Sequence, residues 1–246
     1  MDYKFVSFPL SKKCNTLTTT VHLGNLAYQV DDGKNVKEHR LTLADSLDIP
    51  LDRFVFVHQT HSDKVLKVEL NDLGKGVDSF ISGMEGDALY TYLKNVPLCI
   101  FHADCVPVFF IDESADLAGI IHAGYEGTLK HVVFKSIKRI LEEENIDYKN
   151  LKFYIGPYRR KPSFELETKY QQEVIAAGFG EALKDHHFDN GLAVKMDLFR
   201  LGIKEKQIED CELDTFFDER FYSAHRYRLD QTKTPVGRLV SLIYLK

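Results

Sequence analysis

Three residues of this 246-residue chain are of types that could build a metal site or a nucleophile. His61 follows the strand-like order RFVFVHQ (Arg53 to Gln59), Cys105 follows Asp104 in an otherwise apolar segment, and His122 falls in the apolar run LAGIIHAG (Leu117 to Gly124). Two imidazoles and a thiolate with a vacant fourth position suit a catalytic zinc, whose open position can lower the pKa of a water to about 7. Cys105 beside His122 would equally serve as a thiolate nucleophile with its base, as in a cysteine-type hydrolase or deamidase. Spacing does not decide between them, because steps of 44 and 17 positions match no short zinc signature. Cys105 also reads as a small buried hydrophobe. His58, His102, His186, His187 and His225 read as surface or hydrogen-bonded core imidazoles.

Elements must bring such residues together. Asp31-Asp32-Gly33 offers capping residues ahead of a helix in which Val36, Leu43, Ala44 and Leu47 share a face, ending near Asp48-Ile49-Pro50. Arg53 to Gln59 and Lys64 to Leu70 read as strands joined by THSD, which puts His61 in or beside a hairpin-like connection. The runs Pro97 to Asp112 and Leu117 to Gly124 have the pattern of strands buried on both faces, with Asp104, Cys105 and His122 at their ends or kinks. A strand–turn–helix unit runs on from Leu117: Gly124 and Gly127 tighten the turn, and Leu129, Val132, Val133, Ile137, Ile140 and Leu141 lie at helical spacing. Beyond it come a short strand at Lys152 to Ile155, a turn at Gly156-Pro157, helical patterns near Thr168 to Ala177 and Met196 to Leu201, and a final strand at Arg238 to Leu245. The alternation predicts an α+β (mixed α/β) fold, with mixed β-sheets flanked by helices. No linker, repeat or low-complexity tract divides it, so residues 1–246 read as a single domain.

Composition excludes several classes. With 44% hydrophobic and 28% charged residues the chain is neither disordered nor coiled coil. Its net charge of −5 is scattered, which disfavours nucleic acid as a partner. No apolar run approaches the ~18 residues of a membrane span, and the four dispersed cysteines form no CxxC pair, so a cytoplasmic protein with reduced thiols is expected. A chain of this length buries roughly 73% of its unfolded surface, so a metal would serve chemistry and not stability.

The segments VHQTHSDKV (Val57 to Val65), DALYTYLKNVPLCIFHADCVPVFFID (Asp87 to Asp112) and IIHAGYEGT (Ile120 to Thr128) resemble the family labelled multicopper polyphenol oxidase or laccase-domain proteins. Its members are understood as zinc-dependent purine nucleoside phosphorylases with adenosine deaminase activity. Weaker matches at Asn25, His39-Arg40, Gly156-Pro157, Cys211, FYSAHR and Gly237-Arg238 extend the resemblance over most of the chain. The resemblance implies that His61, Cys105 and His122 bind Zn2+, and that Cys105 and Asp104 serve the chemistry. It further implies that Arg40 and Asn25 bind substrate, and that the small-molecule partners are a purine nucleoside and phosphate.

The chain also departs from the family pattern. Tyr125-Glu126 stand where the family has Trp-Arg, His102 replaces a threonine, and Ser62 replaces a glycine. Since a glutamate near the metal would repel phosphate where an arginine would hold it, phosphorolysis is expected to be less secure than zinc binding. A catalytically weakened metal-binding protein is the remaining alternative. A copper oxidase is disfavoured, because the chain lacks the close H-x-H arrangements such sites need.

Overall fold

Apolar residues alternate along the central strands so that each strand serves two cores. A computed structural model of the chain describes residues 3–30 and 35–246; the expected capping residues Asp31-Asp32-Gly33 lie outside the described residues. In chain order the elements are β1 (Phe5–Phe8), β2 (Cys14–Thr19), α1 (Val36–Leu47), β3 (Val55–His58), β4 (Val65–Lys67), β5 (Met84–Glu85), β6 (Ala88–Thr91), β7 (Leu98–His102), β8 (Val106–Asp112) and β9 (Leu117–Ala123). They continue with α2 (Tyr125–Leu129), α3 (Val132–Glu144), β10 (Leu151–Ile155), α4 (Thr168–Ala176), β11 (Leu183–Lys184), β12 (His187–Phe188), α5 (Asn190–Arg200), β13 (Ile208–Asp210), α6 (Ala224–Leu229) and β14 (Leu239–Leu245).

One sheet has the order β1-β2-β14-β7-β3-β5, the other β13-β10-β8-β9-β6-β4, and β11 and β12 form a small hairpin. Both large sheets mix parallel and antiparallel pairs. On β8, Val106, Val108 and Phe110 pack with Val133, Ile137 and Ile140 of α3 and with Leu198 of α5. The alternate residues Phe109 and Ile111 pack with Leu98 and Ile100 of β7 and Ile243 of β14, between the sheets. Cys99 and Phe101 of β7 face the other way, toward Leu43 and Ala44 of α1. The layers therefore run helices, sheet, sheet, helix, and double burial explains why the central strands read as continuous apolar runs. The expected α+β single-domain architecture with mixed sheets is what the chain forms. No helix among the described residues is long and apolar enough to cross a membrane.

Three local expectations change. β3 and β4 belong to different sheets, so THSD is not a hairpin turn but a crossing between layers. Residues 125–129 are already helical: Gly127 lies inside α2, and the break before α3 is made by His131 at φ +59°. The helix expected at 196–201 extends back to Asn190, where Asp189 caps it by accepting from the Leu192 amide.

Arg40 and Asn25, expected to bind substrate, are structural. Arg40 is fully buried on α1, donating to the carbonyls of Leu26 at 2.9 Å, Gly76 at 2.5 Å and Val77 at 2.8 Å, with its guanidinium 4.0 Å from the Phe56 ring centroid. Burial lowers its pKa to about 10, which leaves it charged at neutral pH. Asn25 bonds Ala27 through both ends of its amide, and its Oδ1 also accepts from the Arg238 amide at 2.9 Å. Gly24, at φ +93°, is required beside it, because a Cβ there would lie 2.2 Å from the His39 ring. Arg40→Ala would leave three carbonyls without donors and a cavity under Phe56. It should cost about 3–5 kcal/mol of stability in urea unfolding.

Candidate functional site

Two crossings between the sheets and the end of one strand deliver the side chains to one place. His61 lies in the segment that leaves β3 for β4, Cys105 in the link from β7 to β8, and His122 near the end of β9. Their ligand atoms all lie within 4.8 Å of one another, and among the described residues they are the one such group able to hold a metal ion. The two imidazole rings stand at 75° with centroids 5.3 Å apart. Gly124 opens the space: a Cβ there would lie 3.0 Å from Cys105 Sγ, 3.3 Å from His61 Cδ2 and 3.4 Å from His122 Cε1.

Asp87 organises this cluster, a residue for which the sequence analysis assigned no role. Fully buried ahead of β6, its carboxylate accepts from the amides of Thr60 at 3.3 Å, His61 at 3.2 Å and Ser62 at 2.6 Å, and from Ser62 Oγ at 2.7 Å. It also takes His122 Nδ1 at 2.9 Å. A carboxylate at this pH only accepts, so Nδ1 carries a proton, and a metal ion at the cluster would take the place of the second proton on Nε2. Burial alone would raise the Asp87 pKa, but the hydrogen bonds from His122 and Ser62 hold it below the ordinary carboxylate value. The same bonds support His61 at φ +54°, where Lys130 Nζ also donates to its carbonyl at 2.6 Å. A non-glycine residue held there costs on the order of 1–3 kcal/mol, supplied by the surrounding contacts.

Burial pushes the Cys105 thiol up, but the charge of His122 and hydrogen bonds from both imidazoles outweigh it and bring the pKa down to about 6. His122 moves the opposite way: burial lowers it, and Cys105 with Asp87 raises it to about 9. The other cysteines stay as thiols, burial raising Cys14 to about 11 and Cys211 to about 12. A soft thiolate and two imidazoles, one fixed by a carboxylate, fit zinc by donor chemistry.

The cluster lies in the wall of a cavity of about 780 Å³, a size that suits a small-molecule ligand. Phe80 and Phe101 line it on one side, Tyr125, Phe164 and Tyr170 form an aromatic group, and Arg159, Arg228 and Arg238 supply its positive charge. Among the described residues Asp104 is the one carboxylate in the lining. At φ +90° its oxygens accept from Thr215 Oγ1 at 2.8 Å and the His225 amide at 2.7 Å, so its observed work is to fix the chain from Thr215 to α6. Arg40 and Asn25 do not line the cavity. Glu126 does not either: it is exposed on α2, 3.9 Å from Lys130, so the expected repulsion of phosphate at the metal cluster is not built. His102 is buried and neutral, lowered by desolvation to about 3, with Nε2 2.8 Å from Ser241 Oγ.

Sequence reasoning brought together His61, Cys105 and His122 and placed Asp104 beside them, but assigned nothing to Asp87 or to the cavity arginines. A carboxylate entering the apolar ALYT strand was the available signal for Asp87. Arg159 and Arg228 had none, since each sits among charged neighbours that read as surface.

The family described as multi-copper polyphenol oxidoreductase laccase matches residues 12–246. Purine nucleoside phosphorylase YlmD of Bacillus subtilis is 30% identical over 243 residues, covering 96% of this chain and 84% of that protein. Purine nucleoside phosphorylase SSP1584 of Staphylococcus saprophyticus is 38% identical over 228 residues, covering 89% and 84%. The crystal structure of the hypothetical protein YfiH from Bacillus licheniformis superposes with a TM-score of 0.90 at 26% identity, covering 99% of this chain and 97% of that one. With the match running through all three ligand-bearing segments, this chain belongs to the multi-copper polyphenol oxidoreductase laccase family.

Proposed function

We propose that the chain is a zinc-dependent purine nucleoside phosphorylase that also deaminates adenosine. The observation that carries this reading is the His61, Cys105 and His122 cluster in the wall of a cavity lined by aromatic rings and arginines. Relatives named purine nucleoside phosphorylase support it. Aromatic faces suit a purine, with base stacking worth about 1–3 kcal/mol, and guanidiniums suit a phosphate through paired charge-assisted hydrogen bonds. Zinc held by His61, Cys105 and His122 would supply Lewis acidity at the cavity wall. In phosphorolysis, phosphate oxygen attacks the ribose C1′ and the purine leaves with the glycosidic electron pair. In deamination, water adds at C6 and ammonia departs. Asp87 holds His122 in one tautomer throughout, and Asp104 fixes the wall formed by α6.

A second reading has a specific observation behind it. Asp87, His122 and Cys105 are connected as a carboxylate, an imidazole and a thiolate in series, the arrangement of a cysteine hydrolase. Zinc-loaded and chelator-treated protein separate the two: activity that survives metal removal favours the nucleophile. The primary reading is tested with zinc-loaded protein and inosine. Release of hypoxanthine only when phosphate is present supports it, and no release with or without phosphate overturns it.

Cys105→Ala should lose both stoichiometric zinc, read by elemental analysis, and nucleoside turnover. Compared in chelator, its melting temperature should fall within about 4 °C of wild type, since the cores do not depend on the thiol. Asp87→Asn should weaken zinc binding about 10–100-fold in a competitive chelator titration, because an amide cannot accept from three amides and an imidazole together. Glu126→Arg should change the ratio of phosphate-dependent adenine release to inosine formation from adenosine by less than about twofold, as its side chain is solvated and screened.

A further inference from the structure

We propose that Arg159 and Arg228 form the seat for a phosphate dianion in the cavity, an assignment that rests on and deepens the phosphorylase reading. Arg159 is 6% exposed, and its guanidinium lies 4.4 Å from the Phe164 ring centroid. Its backbone amide donates to the Asp104 carbonyl at 3.0 Å, and Nη2 donates to the Ser163 carbonyl. These contacts fix the side chain but leave Nε, itself buried, without any acceptor. An unpaired buried N–H of a charged group is costly, and the guanidinium that carries it lines the cavity. Arg228 reaches the same cavity from α6 and makes no hydrogen bond or ion pair with any carboxylate among the described residues.

The two guanidiniums are close enough for the charge of Arg228 to add to burial in lowering the Arg159 pKa. Like charges brought together with spare donors need a counter-ion. Asp214 lies near enough to act on Arg159 as well, but among the described residues Asp104 is the one carboxylate in the lining, and both of its oxygens are already acceptors for Thr215 and His225. It offsets part of the charge without occupying the guanidinium donors. Arg238, the third arginine of the lining, interacts with the charges of Cys105 and Asp104, so positive charge extends from the seat toward the candidate metal cluster. A tetrahedral dianion offers several acceptors to two forks at once, which a single carboxylate does not.

The phosphate could arrive as inorganic phosphate or esterified on a nucleotide, and the test distinguishes the sources. Calorimetric titration of zinc-loaded protein with inorganic phosphate, without nucleoside, reads the seat independently of turnover. Arg228→Ala should weaken this binding at least about tenfold, the loss of one charge-assisted pair, and Arg159→Lys should weaken it comparably while keeping the fold. Inosine 5′-monophosphate is the second arm: competition with inorganic phosphate that disappears in Arg228→Ala means the seat also takes esterified phosphate, while no competition means it takes the free ion alone. Both results support the seat. Unchanged phosphate affinity in both variants overturns it. If wild type binds phosphate through these arginines yet never cleaves inosine, the seat stands and the phosphorylase reading falls.

Discussion

Much of the site hangs on one buried carboxylate. Asp87 joins the segment that leaves one sheet, through the amides of Thr60, His61 and Ser62, to His122 on the second sheet. Its own backbone continues the join, with the carbonyl accepting from the His122 amide at 2.7 Å and the amide donating to the Lys64 carbonyl at 3.1 Å. Two candidate ligands from different layers are thus referred to a single group. A buried carboxylate would be expensive without partners, and five donors around it turn that cost into positional rigidity. Because the clamp is satisfied within the protein, the cluster is arranged before any ion arrives, which limits the reorganisation that binding would require.

The departures from the family pattern acquire physical meaning around this clamp. Ser62, in place of glycine, gives Asp87 both an amide and a hydroxyl. His102, in place of threonine, spans to Ser241 on the neighbouring strand β14 and stays neutral, so it adds no positive charge beside the cluster. Tyr125, in place of tryptophan, keeps an aromatic face in the cavity and uses its hydroxyl on the Tyr170 carbonyl at 3.1 Å, tying α2 to α4.

What the sequence made legible follows from the range of the interactions concerned. The central strands announce themselves because β7, β8 and β9 are buried on both faces, and α3 because its apolar residues fall on one side. The candidate ligands stood out through the motifs around them. The strand exchange at THSD was not, because two short strands separated by four polar residues have the same local pattern whether they pair with each other or with different sheets. Their true partners, β7 at one end and β6 at the other, are tens of residues away. Asp87 was hidden for the same reason, since the donors that define it come from Thr60 to Ser62 and from His122. Glu126 misled because its neighbours in sequence are at the cavity, whereas successive residues on a helix point about 100° apart, and Tyr125 takes the inward direction.

The arginines carry the same lesson one level further, because residue type fixed none of their roles. Arg40 is the most deeply buried of those discussed: Nε and Nη1 donate to carbonyls of residues 26, 76 and 77, aromatic rings cover its faces, and although Nη2 has no partner the side chain does not line the cavity, so it holds loops together. Arg160, next to Arg159 in the chain, is spent on Asp210 at 2.8 Å. Arg159 and Arg228 differ in having donors that no carboxylate among the described residues occupies. A guanidinium is effectively always charged, so its availability to a ligand is decided by whether it lines a cavity with N–H groups to spare. By that test Arg40 at α1 and Arg160 at the Asp210 turn are structural, and Arg159 and Arg228 face an anion where they meet the aromatic cavity beside Cys105.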